Sequence, residues 1–373
     1  MADELDELIE FLGDKRADVR SQAVEIVQGL TGSDDGVQQL AAKASACVPK
    51  LLHLLGNPVA ESKPAATALV NLTGQPDVAT LAVEKGAVER CMEFLRDSEC
   101  APHDLLMMLL ANVTNTEGGV SVFSQEGKSL EGFFIMKLVQ MLADGKPTET
   151  YDHAASVLTN VTRHPVGRRV FLDPTRGLVP AAMPSMQPGA SDTRRVGVAA
   201  ALRNCCLDDV SRDALLKCPG GGGGAGGGGG APNNVAVTSG VATEGGMEVV
   251  RALLRPVSGT KPVVERNDAV RQSCAEAVSA LADGEGGRVA LTACDAPVLL
   301  KAGYGDEDHA ETMHAMEEAA EKFMMHGMVP EELQPPDGLQ RVEVVDEDED
   351  EDVEIQGGPR PGGMKAGFLD SVD

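Results

Sequence analysis

The chain runs to 373 residues, 42% of them hydrophobic, and carries a formal net charge of −26 with eight Phe, two Tyr and no Trp. So acidic a surface repels phosphate backbones and offers bases few rings to stack on, which argues against nucleic acid and favours a protein partner with basic surface. No apolar run approaches the roughly 18 residues needed to span a bilayer, so no membrane association is expected.

The opening Met1-Ala2-Asp3-Glu4-Leu5 is acidic and leads straight into an amphipathic helix, the wrong chemistry for a signal or transit peptide. A cytoplasmic protein is expected, with the nucleus as a second compartment. The eight cysteines form no CxxC pair and no zinc-like spacing, and most fall on apolar helical faces, where a reduced thiol acts as a small hydrophobe.

Five related tripeptides then mark the chain: Gly29-Leu30-Thr31, Asn71-Leu72-Thr73, Asn112-Val113-Thr114, Asn160-Val161-Thr162 and Asn204-Cys205-Cys206. Their centres lie 42, 41, 48 and 44 residues apart, inside or close to the roughly 40 to 47 residues of an armadillo or HEAT unit. Each is preceded by an apolar stretch of helical period, as with Ala66, Leu69, Val70 and Leu72. Breaks are expected at Gly32-Ser33-Asp34, Gly74 with Pro76, Gly118-Gly119 and His164-Pro165. A second helix per unit is read at Val48 to Leu55, Val88 to Leu95 and Phe134 to Leu142, so that each unit is a helical hairpin. One hairpin cannot bury its own apolar face, and stacking about six or seven of them supplies the missing cover. The fold class is therefore all-α, an armadillo/HEAT-like α-solenoid with a disordered Gly-rich insertion and an acidic C-terminal tail.

The insertion is read at residues 219–250, around a run of ten glycines broken by Ala225, where nothing can pack. The run matches GxGxxG trivially, but no strand precedes it, so no cofactor is assigned. With the insertion removed the register resumes, and Ala275, Ala277, Ala280 and Leu281 form a sixth inner helix. A last unit takes Pro297 to Lys301 and His309 to Phe323. Beyond it the seven consecutive acids Asp346 to Asp352 cannot collapse on one another. The domains read as repeats at 1–218, the insertion at 219–250, further repeats at 251–330 and the acidic tail at 331–373.

A search for chemistry finds no HExxH, GxSxG or GxxxxGK[ST] motif, and the histidines are scattered singly, so no metal, cofactor or reaction is assigned. Cys205 and Cys206 point about 100° apart on a helix and are read as packing residues. The N-x-[ST] triplets at Asn71, Asn112 and Asn160 lie on helices between repeats and are not glycan sites. The candidate binding residues are Asn71, Asn112, Asn160 and Asn204, whose carboxamides could hold the backbone of an extended segment, or could instead bridge or cap neighbouring repeats. Beside them Arg163, Arg168 and Arg203, with Arg169, Arg194 and Arg195, read either as a basic lip that grips carboxylates or as solubilising side chains.

The early Gly-Leu-Thr-Gly, the repeated Asn-[Leu/Val]-Thr and Ala201-Leu202-Arg203-Asn204-Cys205-Cys206 resemble the eukaryotic HGH family of armadillo-type proteins. Val264-Glu265-Arg266-Asn267-Asp268-Ala269-Val270-Arg271, then Glu276-Ala277 and Gly287-Arg288, are similar to that family's second block. The resemblance runs from about Leu5 to Gln334. It implies a monomeric, non-enzymatic adaptor that delivers translation elongation factor 2 to the TRiC/CCT chaperonin, working alongside the heat-shock-protein-90 system, with no cofactor. The glycine run, the missing Arg-Glu-Pro-Asp wording and the long acidic tail depart from the pattern. The alternative is an armadillo scaffold or transport adaptor that binds linear basic segments in its groove.

Overall fold

The computed structural model describes residues 2–96, 102–144, 149–220, 242–259 and 265–329. These residues form α-helices joined by turns and short 3-10 segments, with no strand among them. Helices α1 (Ala2–Phe11) and α2 (Ala17–Leu30) open the array, and six units of three helices follow. They are α3 (Asp34–Ala41), α4 (Ala44–Leu54) and α5 (Val59–Leu72); α6 (Pro76–Glu84), α7 (Ala87–Phe94) and α8 (His103–Val113); α9 (Glu117–Ser124), α10 (Phe133–Ala143) and α11 (Ala154–Thr162). Then come α12 (Pro165–Phe171), α13 (Leu178–Ala182) and α14 (Asp192–Asn204); α15 (Asp209–Leu216), α16 (Glu244–Leu254) and α17 (Asp268–Ala282); α18 (Glu285–Thr292), α19 (Ala296–Tyr304) and α20 (Ala310–Met325).

The unit is thus a three-helix armadillo repeat, where the sequence reading expected hairpins. The short first helix of each unit escaped notice because it spans two or three turns, too few for an apolar period to show. The expected break at Gly118-Gly119 is corrected for the same reason: both glycines lie inside α9, and the chain turns before them, at Thr116, whose hydroxyl caps the Gly119 N–H at 3.1 Å. Gly119 is there for closeness, since a Cβ on it would stand 1.9 Å from the Val113 carbonyl oxygen at the end of α8.

The third helices α2, α5, α8, α11, α14, α17 and α20 stack side by side along the whole array and form one continuous inner face. Those inside the stack are covered on both flanks, so Ala65, Ala66, Ala68, Leu69 and Leu72 of α5 are all fully buried. Each such leucine contributes roughly 1.5–3 kcal/mol that a lone repeat could not gain. The stack closes on a polar surface: α20 presents Glu311, His314, Glu318 and Glu321 outward, as a terminal repeat must.

The boundary expected at residue 250 is also corrected. Helix α16 starts at Glu244, inside the segment read as insertion, because Thr243 caps it through the Gly246 N–H at 3.1 Å. The same residue ties back to the end of α15, its N–H donating to the Leu216 carbonyl at 2.9 Å. The glycine run itself and the acidic tail lie outside the described residues.

Candidate functional site

At the end of each third helix the asparagine of the marker tripeptide turns toward the preceding unit. Asn71 Nδ2 donates to Thr31 Oγ1 at 3.1 Å and to the Thr31 carbonyl at 3.3 Å. Asn112 reaches Thr73 Oγ1 at 3.1 Å and the Val70 carbonyl at 2.9 Å. Asn160 reaches Thr114 Oγ1 at 3.2 Å and the Ala111 carbonyl at 2.8 Å, and Asn204 reaches Thr162 Oγ1 at 3.1 Å and the Thr159 carbonyl at 3.0 Å.

The pattern explains why threonine follows two residues after asparagine. Each threonine hydroxyl donates its own hydrogen back along its helix, as Thr73 does to Leu69 O at 2.7 Å and Thr114 to Leu110 O at 2.7 Å. Its lone pair is then presented to the next repeat, and the carboxamide supplies the hydrogen. Of the two readings left open, the bridging one is observed for all four Nδ2 groups. What remains for the groove is the amide oxygen: among the described residues Asn71, Asn112 and Asn160 make no bond through Oδ1, and their side chains are exposed or half-buried.

Two further positions complete the ladder. In the fifth unit the marker position holds Ala280, which has no donor, and the threonine place one unit earlier holds Cys206, a weak acceptor whose thiol bonds Leu202 O at 3.3 Å. An ion pair stands in for the missing rung, with Arg203 Nη1 2.6 Å from Glu276 Oε2. In the sixth unit Lys322 takes the asparagine's place. Its Nζ donates to Ser279 O and Oγ, both at 3.0 Å, and pairs with Asp283 at 2.7 Å. The sequence reading missed Lys322, although Phe323 stands one repeat length after Leu281.

One turn before each asparagine the inner face carries Thr67, Met108, Ser156 and Ala200, all half-buried. None of them ionises. The corresponding places in α17 and α20 hold Glu276 and Glu318. At this one position, therefore, the inner helices are uncharged over the first four units and carry carboxylates in the last two.

The arginines do not assemble into a lip. Arg168 donates to the Thr162 and Arg163 carbonyls at 3.0 and 2.8 Å, closing the end of α11, while its Nε pairs with Asp208 at 2.9 Å. Burial opposes ionisation of Asp208, but hydrogen bonds from Ser211 and the Arg168 charge outweigh it and hold the carboxyl below its ordinary value. Arg212 and Arg288 repeat the gesture toward Cys206 O at 2.8 Å and Ala282 O at 2.7 Å. Arg194 pairs with Asp152 at 2.7 Å and Arg195 with Glu265 at 3.1 Å. Only Arg163 of the three candidates is exposed, bonded to Asn115 Oδ1 at 2.9 Å. These guanidinium groups join successive units, a role that spacing alone cannot separate from surface charge.

The seven described cysteines are free thiols; burial pushes Cys47, Cys91 and Cys206 up to about 12, which makes them poor nucleophiles. Among the described residues no group of His, Cys, Asp and Glu is placed to hold a metal, and no helix is long and apolar enough to cross a membrane.

Residues 95–269 match a family model described as a domain of unknown function, DUF383. The chain is 35% identical over 210 residues to a protein HGH1 homolog of Xenopus tropicalis, covering 54% of this chain and 56% of that protein. It is 29% identical over 222 residues to the protein HGH1 homolog of Dictyostelium discoideum, covering 57% and 61%. The chain thus aligns with a little over half the length of each. Among solved structures, a designed armadillo repeat protein in complex with peptide (KR)4 superposes with a TM-score of 0.56 at 14% identity, covering 74% of this chain and 99% of that one. In sequence the chain is thus similar to HGH1 homologs over a little more than half of its length, and in fold, a stack of three-helix units tied by an asparagine ladder, it is similar to armadillo repeat proteins.

Proposed function

We propose that this chain is a non-enzymatic adaptor of the cytoplasm that holds a client protein along its inner helical face. The client is translation elongation factor 2, and the adaptor hands it to the TRiC/CCT chaperonin with the heat-shock-protein-90 system alongside. The observation that carries this reading is the run of amide oxygens left without a bond at Asn71, Asn112 and Asn160, one turn from the uncharged side chains of Thr67, Met108, Ser156 and Ala200. Such a strip accepts backbone N–H groups of an extended segment and tolerates small or apolar side chains between them. The family resemblance supplies the identity of the client and of the chaperonin.

The test is an affinity purification from native extract at low salt, comparing the full chain with Ser156→Arg/Ala200→Arg, which fills the strip without touching the ladder. Elongation factor 2 and chaperonin subunits should co-purify with the former, and elongation factor 2 should be lost from the latter. Recovery of neither partner with the unaltered chain removes the proposal.

The second reading, a receptor for linear basic segments, draws on the acidic places at Glu276 and Glu318 and on the designed armadillo protein that carries (KR)4. The uncharged side chains at the same position over the first four units speak against it, because a basic ligand gains most from carboxylates repeated at every unit. Titrating (KR)4 at rising salt decides: micromolar, salt-sensitive binding revives this reading.

A further inference from the structure

Apart from the asparagine ladder, none of whose residues lines it, a cleft of about 570 Å³ opens between α7 and α10, the second helices of two successive units. Its walls are Met92 and Leu95 from one side and Phe133, Phe134 and Met141 from the other, with His103 and Tyr151 beneath. In a chain with so few aromatic residues this concentration is notable. The His103 and Tyr151 rings stack 5.9 Å apart at 30°, and His103 Nδ1 lies 2.9 Å from the Tyr151 hydroxyl. Phe133 and Phe134 are tilted by 52° at 6.2 Å. Cations are favoured over such ring faces, especially beside carboxylates.

Three carboxylates border the cleft: Glu89 and Glu93, one helical turn apart on α7, and Asp144 beyond the end of α10. All three are exposed, and none has an ion-pair or hydrogen-bond partner among the described residues. Of the two cations nearby, Lys137 is already engaged, donating to Gln140 Oε1 at 3.1 Å and lying 5.7 Å from the Phe133 ring centre. Among the described residues that line the cleft, Arg96 is the one other Lys or Arg. Glu89, Glu93 and Asp144 thus outnumber the cations there. Burial and then the charge of Asp144 raise the Tyr151 phenol above its ordinary value, consistent with a carboxylate close beside that ring.

We propose that this cleft receives an arginine side chain of a protein partner, its stem and guanidinium plane against the aromatic walls and its charge facing Glu89, Glu93 and Asp144. Arginine fits better than lysine because its planar, weakly hydrated cation stacks on rings as it pairs with carboxylates. The site shares no residue with the asparagine ladder or with the row of Thr67, Met108, Ser156 and Ala200, and does not depend on what those residues bind.

The experiment uses the full chain carrying methyl-labelled methionine, titrated with the capped peptide acetyl-Gly-Arg-Gly-amide and followed by NMR. Met92 and Met141 report on the cleft and Met108 on the inner face, each assigned by its Leu variant. The Met92 and Met141 methyl signals should shift saturably while Met108 stays fixed. The citrulline and leucine counterparts should produce no saturable shift. The exposed pair Glu93→Gln/Asp144→Asn should weaken binding by about fivefold or more with an unchanged melting temperature. The proposal is overturned if the two cleft signals do not move, if Met108 moves in their place, if citrulline or leucine performs equally, or if the double variant binds as tightly as the parent. Failure of the unaltered chain to recover elongation factor 2 or chaperonin subunits would leave every one of these outcomes unaffected, so the two readings fail separately.

Discussion

Lys322 stands in the last unit where Asn160 stands in the third, and its ammonium meets the Ser279 carbonyl at 3.0 Å as the Asn160 amide meets the Ala111 carbonyl at 2.8 Å. The carbonyl one residue before the marker position is the acceptor for Asn112, Asn160, Asn204 and Lys322, while Asn71 takes the Thr31 carbonyl instead. Where the donor is missing, at Ala280, the repeats are joined by Arg203 and Glu276.

Removing a rung should therefore destabilise the array. Asn160→Ala leaves the Ala111 carbonyl and the Thr114 hydroxyl without their donor, at a cost of about 1–3 kcal/mol. Asn160→Asp should be worse, since a carboxylate would face two acceptors. Ala280→Asn should add a rung worth about 0.5–1 kcal/mol, held down by the weak acceptor Cys206. Urea midpoints at constant slope would rank the three; equal midpoints for N160A and the parent would show the ladder to be ornamental.

Neighbouring glycines in α9 should respond in opposite directions. Gly119→Ala drives a methyl to 1.9 Å from the Val113 oxygen and should cost about 1–3 kcal/mol. Gly118 is exposed, with its nearest neighbour Val83 Cγ1 at 3.9 Å, so Gly118→Ala should stabilise by up to about 1 kcal/mol through helix propensity. Thermal melts of the two variants read this directly.

Acid should loosen the N-terminal units through Glu61. This residue is 2% exposed, accepts two bonds from Arg20 at 2.9 and 3.0 Å, and takes another from Asn57 at 2.6 Å. Burial works against its charge, yet these bonds outweigh it and hold the folded carboxyl below its ordinary value. The folded state thus binds protons less readily than the unfolded one, and the contribution is complete above the ordinary glutamate value of about 4.3 and is lost as pH falls through the folded one. Glu307, held by Arg271, titrates in the same sense. Glu61→Gln should cost about 2–4 kcal/mol at neutral pH and flatten the acid limb of stability against pH, as measured by denaturation from pH 7 to 3.

The segment between Gly220 and Ala242 should be dispensable for folding. Thr243 ties its N–H to Leu216 O at 2.9 Å, and a Cβ on Gly245 would lie 2.3 Å from the Pro219 carbonyl carbon, so both ends of the segment are already together. Shortening it to a few residues should change stability by less than about 1 kcal/mol, because loop-closure entropy grows slowly with length. Thr243→Ala, which loses the cap of α16, should cost about 1 kcal/mol and serves as the sensitive control. A large loss on shortening would mean that the segment packs on the repeats.

The inner helices were legible in the sequence because each spans several turns and three of them end on the same Asn-x-Thr signal, with Gly-Leu-Thr and Asn-Cys-Cys as variants of it, so period and marker agree. The first helix of each unit was not, since its two or three turns are too few for an apolar pattern to show. The ladder residues were legible as a column but not as a bond: Asn112 in the sequence has two donors and an acceptor group to offer, and only the stacked backbone shows that Val70 and Thr73 take the donors. The arginines were misjudged for a related reason, because Arg168 at the start of a helix and Asp208 some 40 residues later become partners through the repeat pitch.

Local physics settled that this chain makes helices, where most of them stop, and that each must borrow cover from its neighbours, since those consequences follow from side chains within a few turns of one another. Contacts one repeat apart settled everything finer: which hydrogens the asparagines keep, which charges are neutralised, and where an aromatic cleft opens between α7 and α10. Such contacts depend on how far two helices tilt and approach, a distance that the intervening 40 or so residues transmit but do not spell.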